Sequence, residues 1–378
     1  MTLSRRTALF SFAAASIGAT ISARAQNPAP SVRAALAPGS AADQALTRLS
    51  QEDRFSGVAF ASIDGAPVLA RAFGLADRNS GAPNTLATRF NIASMGKMFT
   101  AVAIGQLAER GHLSFEDSAL RHRPDLSDML PATVTIANLL AHTSGLGSYF
   151  GSPLWAERGG SVRSVDDYLA LVRGERIAAD YDGRYLYSNS GYVVLGAIIE
   201  RVTRRDFYDV MRDDVFAPAG MTHTDYPLRG VTGEDLAVGH GNGCFARPRD
   251  QCEPQPWAPV TAGPGRGGPA GGSYSTASDL NAFASALRQG RLLRRDTFDA
   301  MKAPRTRFDL PGGPLDGYGM GFGRLTVHTH RTWGHNGGTP GWGAQIDCSE
   351  DVAINLVVLC NLDGGQRPAS AALRRALA

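Results

Sequence analysis

Ser94 and Lys97 are the residues of this chain whose types and spacing point first to chemistry. Only two of its 38 basic residues are lysines, Lys97 and Lys302; arginine supplies the rest. Arginine stays charged at any physiological pH, whereas a buried lysine can shed its proton and act as a base. Lys97 sits in the apolar run Asn91-Ile-Ala-Ser-Met-Gly-Lys-Met-Phe-Thr-Ala-Val-Ala-Ile104, where residues 98–104 carry no charge and one hydroxyl. A helix apolar on most of its faces is buried. Ser94 precedes Lys97 by three positions, and i and i+3 share a helix face. Hydroxyl and amine therefore face one small volume, the arrangement of a serine made nucleophilic by a lysine.

Acyl transfer by such a pair also needs a proton relay to the leaving group and donors for the oxyanion. Two further stretches can supply them. In Tyr185-Leu-Tyr-Ser-Asn-Ser-Gly-Tyr192, Tyr187 and Asn189 present a phenol and an amide at the entrance of an apolar helix. The plainer alternative is that Ser188 or Asn189 caps that helix while Tyr187 packs. In Trp333-Gly-His-Asn-Gly-Gly-Thr-Pro-Gly-Trp342, His335 stands where a strand is expected to end, and Gly337 and Gly338 let a substrate approach the backbone. The alternative is a glycine-rich turn with an incidental histidine.

The elements that must position these groups follow from patterning. A helix is expected over residues 41–52. Alternating segments at 55–62 and 66–74 read as a hairpin turning at Asp64-Gly65. The Ser94 helix runs to about Arg110. Helical stretches follow at 135–142, 164–173, 189–203 and 205–216, then a Gly/Pro-rich loop over 231–272, then helices at 277–288 and 295–302. Strands close the chain at 317–327, 330–334, 342–348 and 352–361, before a last helix at 367–377. Strands at both ends must meet in one sheet, with the central helices as an insertion. This layout is a mixed fold of the α/β (α+β) type: one sheet plus an inserted, mostly helical lobe. The sheet part takes residues 26–112 and 305–378, the helical part 113–304. A cleft between such parts is a natural substrate site.

The N-terminus reads as a signal rather than as fold. Ser4-Arg5-Arg6-Thr7 opens it, a modestly apolar stretch follows, and Ala23-Arg24-Ala25 offers a cleavage site. The paired arginines resemble a twin-arginine export signal, so the chain is expected to be periplasmic or secreted. Removing residues 1–25 takes three arginines and no acid, and the formal charge falls from +3 to zero. What remains has no basic run for nucleic acid and no segment for stable membrane insertion. A small molecule or peptide is the expected partner, and no cofactor is expected. In an oxidising compartment Cys244 and Cys252, flanking a loop rich in Arg, Pro and Asp, are candidates for a disulfide. Cys348 and Cys360 lie in late strands and read as buried thiols. No cysteine or His-Glu-x-x-His spacing suggests a metal. His328-Thr-His330 lacks a third ligand and reads as an exposed edge-strand pair. No Gly-x-Ser-x-Gly elbow supports an α/β-hydrolase. His142 reads as a hydrogen-bonded turn residue.

Ser94-x-x-Lys97, Tyr187-x-Asn189 and His335-x-Gly337, in that order, resemble the three motifs of the penicillin-recognising serine hydrolases. The class C β-lactamase and DD-carboxypeptidase branch is the nearest, with its esterase and D-aminopeptidase relatives. Thr135-Ile-Ala-Asn-Leu-Leu-Ala-His-Thr-Ser-Gly-Leu146 and Gly271-Gly-Ser-Tyr-Ser-Thr-Ala-Ser-Asp-Leu280 look like further family segments. The resemblance implies the fold, an antiparallel sheet flanked by helices and joined to a mostly helical lobe, with Ser94 at the helix start between them. It implies that Ser94 is the nucleophile and that Lys97 and Tyr187 share the proton work. It implies that Asn189 orients substrate and lysine, that His335 lines the opposite wall, and that the N–H groups of Ser94 and Gly338 hold the oxyanion. Many β-lactamases carry a lysine where His335 stands. A neutral histidine pulls less on a substrate carboxylate, which implies an ester or D-amino-acid peptide as substrate ahead of a β-lactam. The alternative is a binder of penicillin or cell-wall peptide that is acylated but barely turned over.

Overall fold

The structure is a computed structural model that describes residues 30–177, 181–231, 233, 235–245, 251–307 and 316–378. The export signal expected at residues 1–25 lies outside the described residues.

Helix α1 (Ala41–Gln51) is capped by Ser40, whose side chain accepts from the Asp43 N–H. Strands β1 (Gly57–Ile63) and β2 (Ala66–Phe73) follow as the expected hairpin. Asp64 and Gly65 take φ of 53° and 79°, the left-handed pair whose twist suits a two-residue hairpin turn. The central helices that matter for the site are α2 (Lys97–Glu109), α3 (Ser190–Thr203) and α4 (Ala277–Arg288), followed by α5 (Arg295–Lys302). Strands β3 (Thr306–Arg307), β4 (Gly317–Tyr318), β5 (Gly323–Val327), β6 (His330–Thr339), β7 (Trp342–Ser349) and β8 (Ile354–Cys360) come next, and α6 (Gln366–Arg374) follows.

The eight strands make one sheet in the order β2-β1-β8-β7-β6-β5-β4-β3, with every neighbouring pair antiparallel. β1 pairs with β8 from Gly57↔Cys360 to Ile63↔Ile354, so the two ends of the chain meet inside one sheet, as the patterning predicts. Side chains alternate between the sheet's faces with period two. Ala59, Ala61, Ile63, Ile354, Leu356 and Val358 join an outer core with Leu46 of α1 and Leu373 of α6. Val58, Phe60, Val357 and Leu359 face the other way, into a larger core shared with α2, α3 and α4. The two free thiols obey the same alternation: both are buried, Cys348 in the inner core and Cys360 in the outer.

Three expectations along the last strands are corrected. The segment 317–327 is two strands, because Met320 and Phe322 both turn into the inner core, at 1% and 0% exposure. His328 and His330 are no strand-face pair: His328 occupies the left-handed turn (φ 54°) that joins β5 to β6. Most important for function, the strand carrying His335 does not stop there. β6 continues through the glycines to Thr339 and pairs with β7 as far as Thr339↔Trp342. Its other neighbour, β5, ends at Gly323↔Gly334. Among the described residues no sheet partner pairs with the other edge of residues 335–339.

Candidate active site

The turn that carries the nucleophile is held in an uncommon conformation. Ala93 has φ 46°, a left-handed value that costs an L-residue with a Cβ about 1–2 kcal/mol. Its surroundings fix it: Asn91 Oδ1 accepts from the Ala93 N–H at 2.8 Å, and the Ala93 carbonyl accepts from Gly272 N at 3.0 Å. A short 3₁₀ turn over Ala93–Gly96 then leads into α2. Ser94 is thereby left partly exposed, while Lys97 is completely buried. Every residue of α2 from Lys97 to Leu107 is buried, as the apolar run predicts.

Lys97 Nζ has three polar neighbours. It donates to Asn189 Oδ1 at 2.7 Å and to the Ala270 carbonyl at 2.6 Å, and it lies 3.1 Å from Ser94 Oγ. The first two are carbonyl-type acceptors and consume two N–H bonds. The third direction, toward Ser94, holds a hydrogen in the ammonium and a lone pair in the amine. Ring faces of Tyr187 and Tyr192 lie 4.9 and 5.4 Å from Nζ. No salt bridge to a carboxylate is formed by Lys97 among the described residues. Burial without a counter-charge holds its pKa well below the ordinary lysine value of 10.5.

Tyr187 and Asn189 arrive from the segment before α3. Asn189 stands at the N-cap of α3 but makes no capping bond with its side chain; Ser188, one residue earlier, supplies the acceptor, its Oγ accepting from Gly191 N at 2.8 Å. That frees Asn189 to work elsewhere: its amide nitrogen donates to Ser148 Oγ at 2.9 Å while its oxygen accepts a hydrogen bond from Lys97 Nζ. Burial raises the Tyr187 phenol above its ordinary pKa, and a hydrogen bond with the Ser94 side chain opposes that rise.

His335 faces the same volume from β6 but is fully engaged. Its Nδ1 lies 2.5 Å from the Asn336 carbonyl, so Nδ1 carries the hydrogen and donates. Nε2 then accepts from the Tyr318 hydroxyl at 2.8 Å. The ring is 4% exposed, and burial, helped by the charge of Lys97, depresses its pKa to about 3. Gly337 is what lets β6 pass so near the nucleophile turn: a Cβ there would stand 2.0 Å from the Ile92 carbonyl oxygen. Gly338 is exposed one residue further along, with the Phe245 ring 3.6 Å from where its own Cβ would be. Phe245 belongs to the loop closed by a disulfide between Cys244 and Cys252, whose Cα atoms are 5.7 Å apart.

The structure thus brings Ser94, Lys97, Tyr187 and Asn189 into direct contact, with His335, Gly337 and Gly338 opposite. Three participants were not singled out by sequence reasoning. Ala270 contributes only a backbone oxygen, which no residue type advertises. It reaches Lys97 because Gly271 has no side chain; a Cβ on it would stand 2.1 Å from the Ala93 oxygen. Ser148 and Tyr318 act through hydroxyls in segments without distinctive spacing.

Comparison with known proteins agrees with this geometry. The Beta-lactamase family model matches residues 42–378. The chain belongs to the Beta-lactamase family. Among curated relatives, penicillin-binding protein 4* of Bacillus subtilis (strain 168) is 28% identical over 323 residues, covering 83% of this chain and 69% of that protein. Among solved structures, the penicillin-binding protein from Bacillus halodurans superposes with a TM-score of 0.74 at 29% identity, over 87% of this chain and 98% of that one. D-amino acid amidase from Ochrobactrum anthropi gives a TM-score of 0.75 at 23% identity, over 89% and 97%; that likeness is one of fold. As a Beta-lactamase family member the chain has the expected mixed architecture and the general apparatus of serine acyl transfer. Among the described residues no cluster of side chains could hold a metal ion, and no helix is long and apolar enough to cross a membrane.

Proposed function

We propose that this protein is a serine hydrolase working through an acyl-enzyme on Ser94, and that Lys97 in its neutral form is the base. The observation that carries the reading is the set of contacts around Lys97 Nζ: two carbonyl acceptors, Ser94 Oγ, and no acid among the described residues. The amine lone pair takes the Ser94 proton as Oγ attacks the substrate carbonyl. The oxyanion is assigned to the N–H groups of Ser94 and Gly338. The new ammonium keeps its two carbonyl acceptors and the tyrosine ring faces. Collapse of the tetrahedral intermediate expels the leaving group. Tyr187 supplies the proton to it and recovers one from Lys97. Water then repeats the cycle on the ester and releases Ser94. Between the two candidate bases, burial pushes the phenol away from ionisation and the amine toward neutrality, which favours Lys97 as base and Tyr187 as relay.

Substrate class follows from His335. Both of its nitrogens are committed and it is uncharged at neutral pH, so it offers a substrate carboxylate no cation. An ester or a D-amino-acid amide, neither of which brings a free carboxylate, suits this wall better than a β-lactam or a peptide with a free C-terminal carboxylate, whose anion would lack an anchor. The edge of residues 335–339, which has no sheet partner among the described residues, suits an extended amide that pairs with the strand. The Cys244–Cys252 disulfide fits an exported protein.

The test is a panel of p-nitrophenyl butyrate, D-alanyl-D-alanine peptide and nitrocefin, run on the wild type and on Ser94→Ala. Turnover of ester or peptide that vanishes in Ser94→Ala supports the proposal; undiminished turnover in that variant refutes it. An adduct that persists for minutes in the intact mass, with no steady-state product, would favour an acyl trap instead.

A further inference from the structure

His142 is completely buried and lies outside the three motifs, yet its carbonyl, its Nδ1 and its ring face all meet the segment that carries Tyr187. Its carbonyl accepts from Leu186 N at 2.8 Å. Its ring Nδ1 accepts from Ser188 N at 3.0 Å. Between those two bonds the imidazole stacks on the Tyr187 ring, with centroids 4.4 Å apart and planes tilted by 36°. The backbone is left-handed at this position, with φ 60°, and that is how ring and carbonyl of one residue can grip the same segment on both sides of Tyr187. The opposite side of the ring neighbourhood belongs to Tyr318, 4.8 Å away, whose hydroxyl donates to His335 Nε2. His142 thus fills the space between the phenol and the β6 wall.

The tautomer follows from the bonds. Nδ1 accepts a backbone N–H, so in the neutral ring the hydrogen is on Nε2. Among the described residues Nε2 has no hydrogen-bond partner, and the imidazole lies against the rings of Tyr185, Tyr187, Tyr192 and Tyr318. The other ionisable groups acting on His142 are Lys97 and His335, and both, with burial, disfavour its charged form. The contacts the imidazole does make, a bond to the Ser188 N–H and a stack on Tyr187, are positional ones.

We propose that His142 is the positioning residue for Tyr187, fixing the phenol oxygen relative to Ser94 through its Nδ1 bond to Ser188 and its stack on the Tyr187 ring. The proposal rests on the acyl-enzyme reading above, because a relay tyrosine is what it positions. A relay held a fraction of an ångström off its path costs rate and leaves binding alone. The consequence is a loss in kcat rather than a rise in KM.

The test uses p-nitrophenyl butyrate hydrolysis by four variants: His142→Gly, His142→Asn, Tyr187→Phe, and Tyr187→Phe combined with His142→Gly. Glycine and asparagine both tolerate positive φ, so backbone strain does not confound the pair. Asparagine also keeps an acceptor near the Nδ1 position. Thermal melts establish that each variant is folded. His142→Gly is expected to lose about 100-fold in kcat with KM within about threefold, a typical effect of misplacing a catalytic group. His142→Asn is expected to recover about a tenth of the wild-type rate, since its acceptor restores one of the two restraints. In the Tyr187→Phe background, His142→Gly should cost less than about threefold more, because residues that act through one group are not additive. Equal fold-losses in the two backgrounds would overturn the proposal, as would a folded His142→Gly or His142→Asn with wild-type kcat. A wild type that neither hydrolyses the ester nor labels at Ser94 with a fluorophosphonate would overturn the acyl-enzyme reading, and this proposal with it. Activity with uncoupled losses would sink this proposal alone.

Discussion

The two lysines of this chain occupy contrasting surroundings. Lys302 ends α5 with 12% of its side chain exposed, and it is given anions: Asp299 at 2.9 Å and Glu350 at 3.5 Å, with the Phe298 ring 4.6 Å from the ammonium. Lys97 is more deeply buried and, among the described residues, is given only dipoles and ring faces. Both side chains are largely out of water, so burial alone does not separate them. The difference is the missing carboxylate. A buried ammonium with a counter-ion is a structural pair; one with carbonyl acceptors on two sides and a hydroxyl on the third is poised to lose its proton.

The most severe way to probe this contrast is to remove the amine. Lys97→Ala should lower kcat/KM by about 10³-fold or more, the range expected when a general base and its charge are both lost, measured on an aryl ester. Tyr187→Phe should cost about 10²–10⁴-fold, the usual contribution of a positioned proton donor, with the larger loss on an amide than on an aryl ester, whose leaving group needs less help. The comparison is sharpened by giving Lys97 what Lys302 already has. In Asn189→Asp a carboxylate would stand where Oδ1 now lies 2.7 Å from Nζ. The sign follows from the mechanism: activity requires the neutral amine, so kcat/KM rises as pH climbs through the Lys97 pKa. An adjacent anion favours the ammonium and should move that rising limb up by about 1–3 pH units. A limb that stays in place in Asn189→Asp would detach the rate from Lys97. The smallest effect is reserved for the other lysine. Lys302→Met should leave the kinetics unchanged and cost about 1–2 kcal/mol of stability, read from denaturant melts. Its partner Glu350 keeps Arg324 at 2.9 Å, which limits the loss.

The contrast also marks what could be read without coordinates. Burial of α2 was legible because apolar residues cover every face of the helix, and the meeting of the chain's two ends was legible because strand patterns occur at both ends. The Asp64-Gly65 hairpin followed from two residues that tolerate left-handed backbone. The Ser94, Lys97, Tyr187 and Asn189 cluster followed from spacing together with the motif resemblance. The misjudged end of β6 has a physical cause. Glycines read as strand breakers, yet here they keep the strand going, because Gly337 must lie against Ile92 where no side chain fits. The lysine's carbonyl acceptor on Ala270 was illegible for a different reason: any residue supplies that atom, and only the path of the chain brings it near. His142 was rightly read as a hydrogen-bonded turn residue, but sequence could not show that both neighbours of Tyr187 bond to it.

Because the chain has only two lysines, the central claim can be measured directly. In the Lys302→Arg variant, selective ¹³C/¹⁵N-lysine labelling leaves one side-chain resonance set, that of Lys97, whose Cε and Nζ shifts report its charge as pH is raised. The account predicts a titration well below 10.5 that coincides with the rising limb of kcat/KM. A midpoint at the ordinary lysine value of about 10.4, with activity already at its plateau far below it, would contradict the assignment of Lys97 as the base.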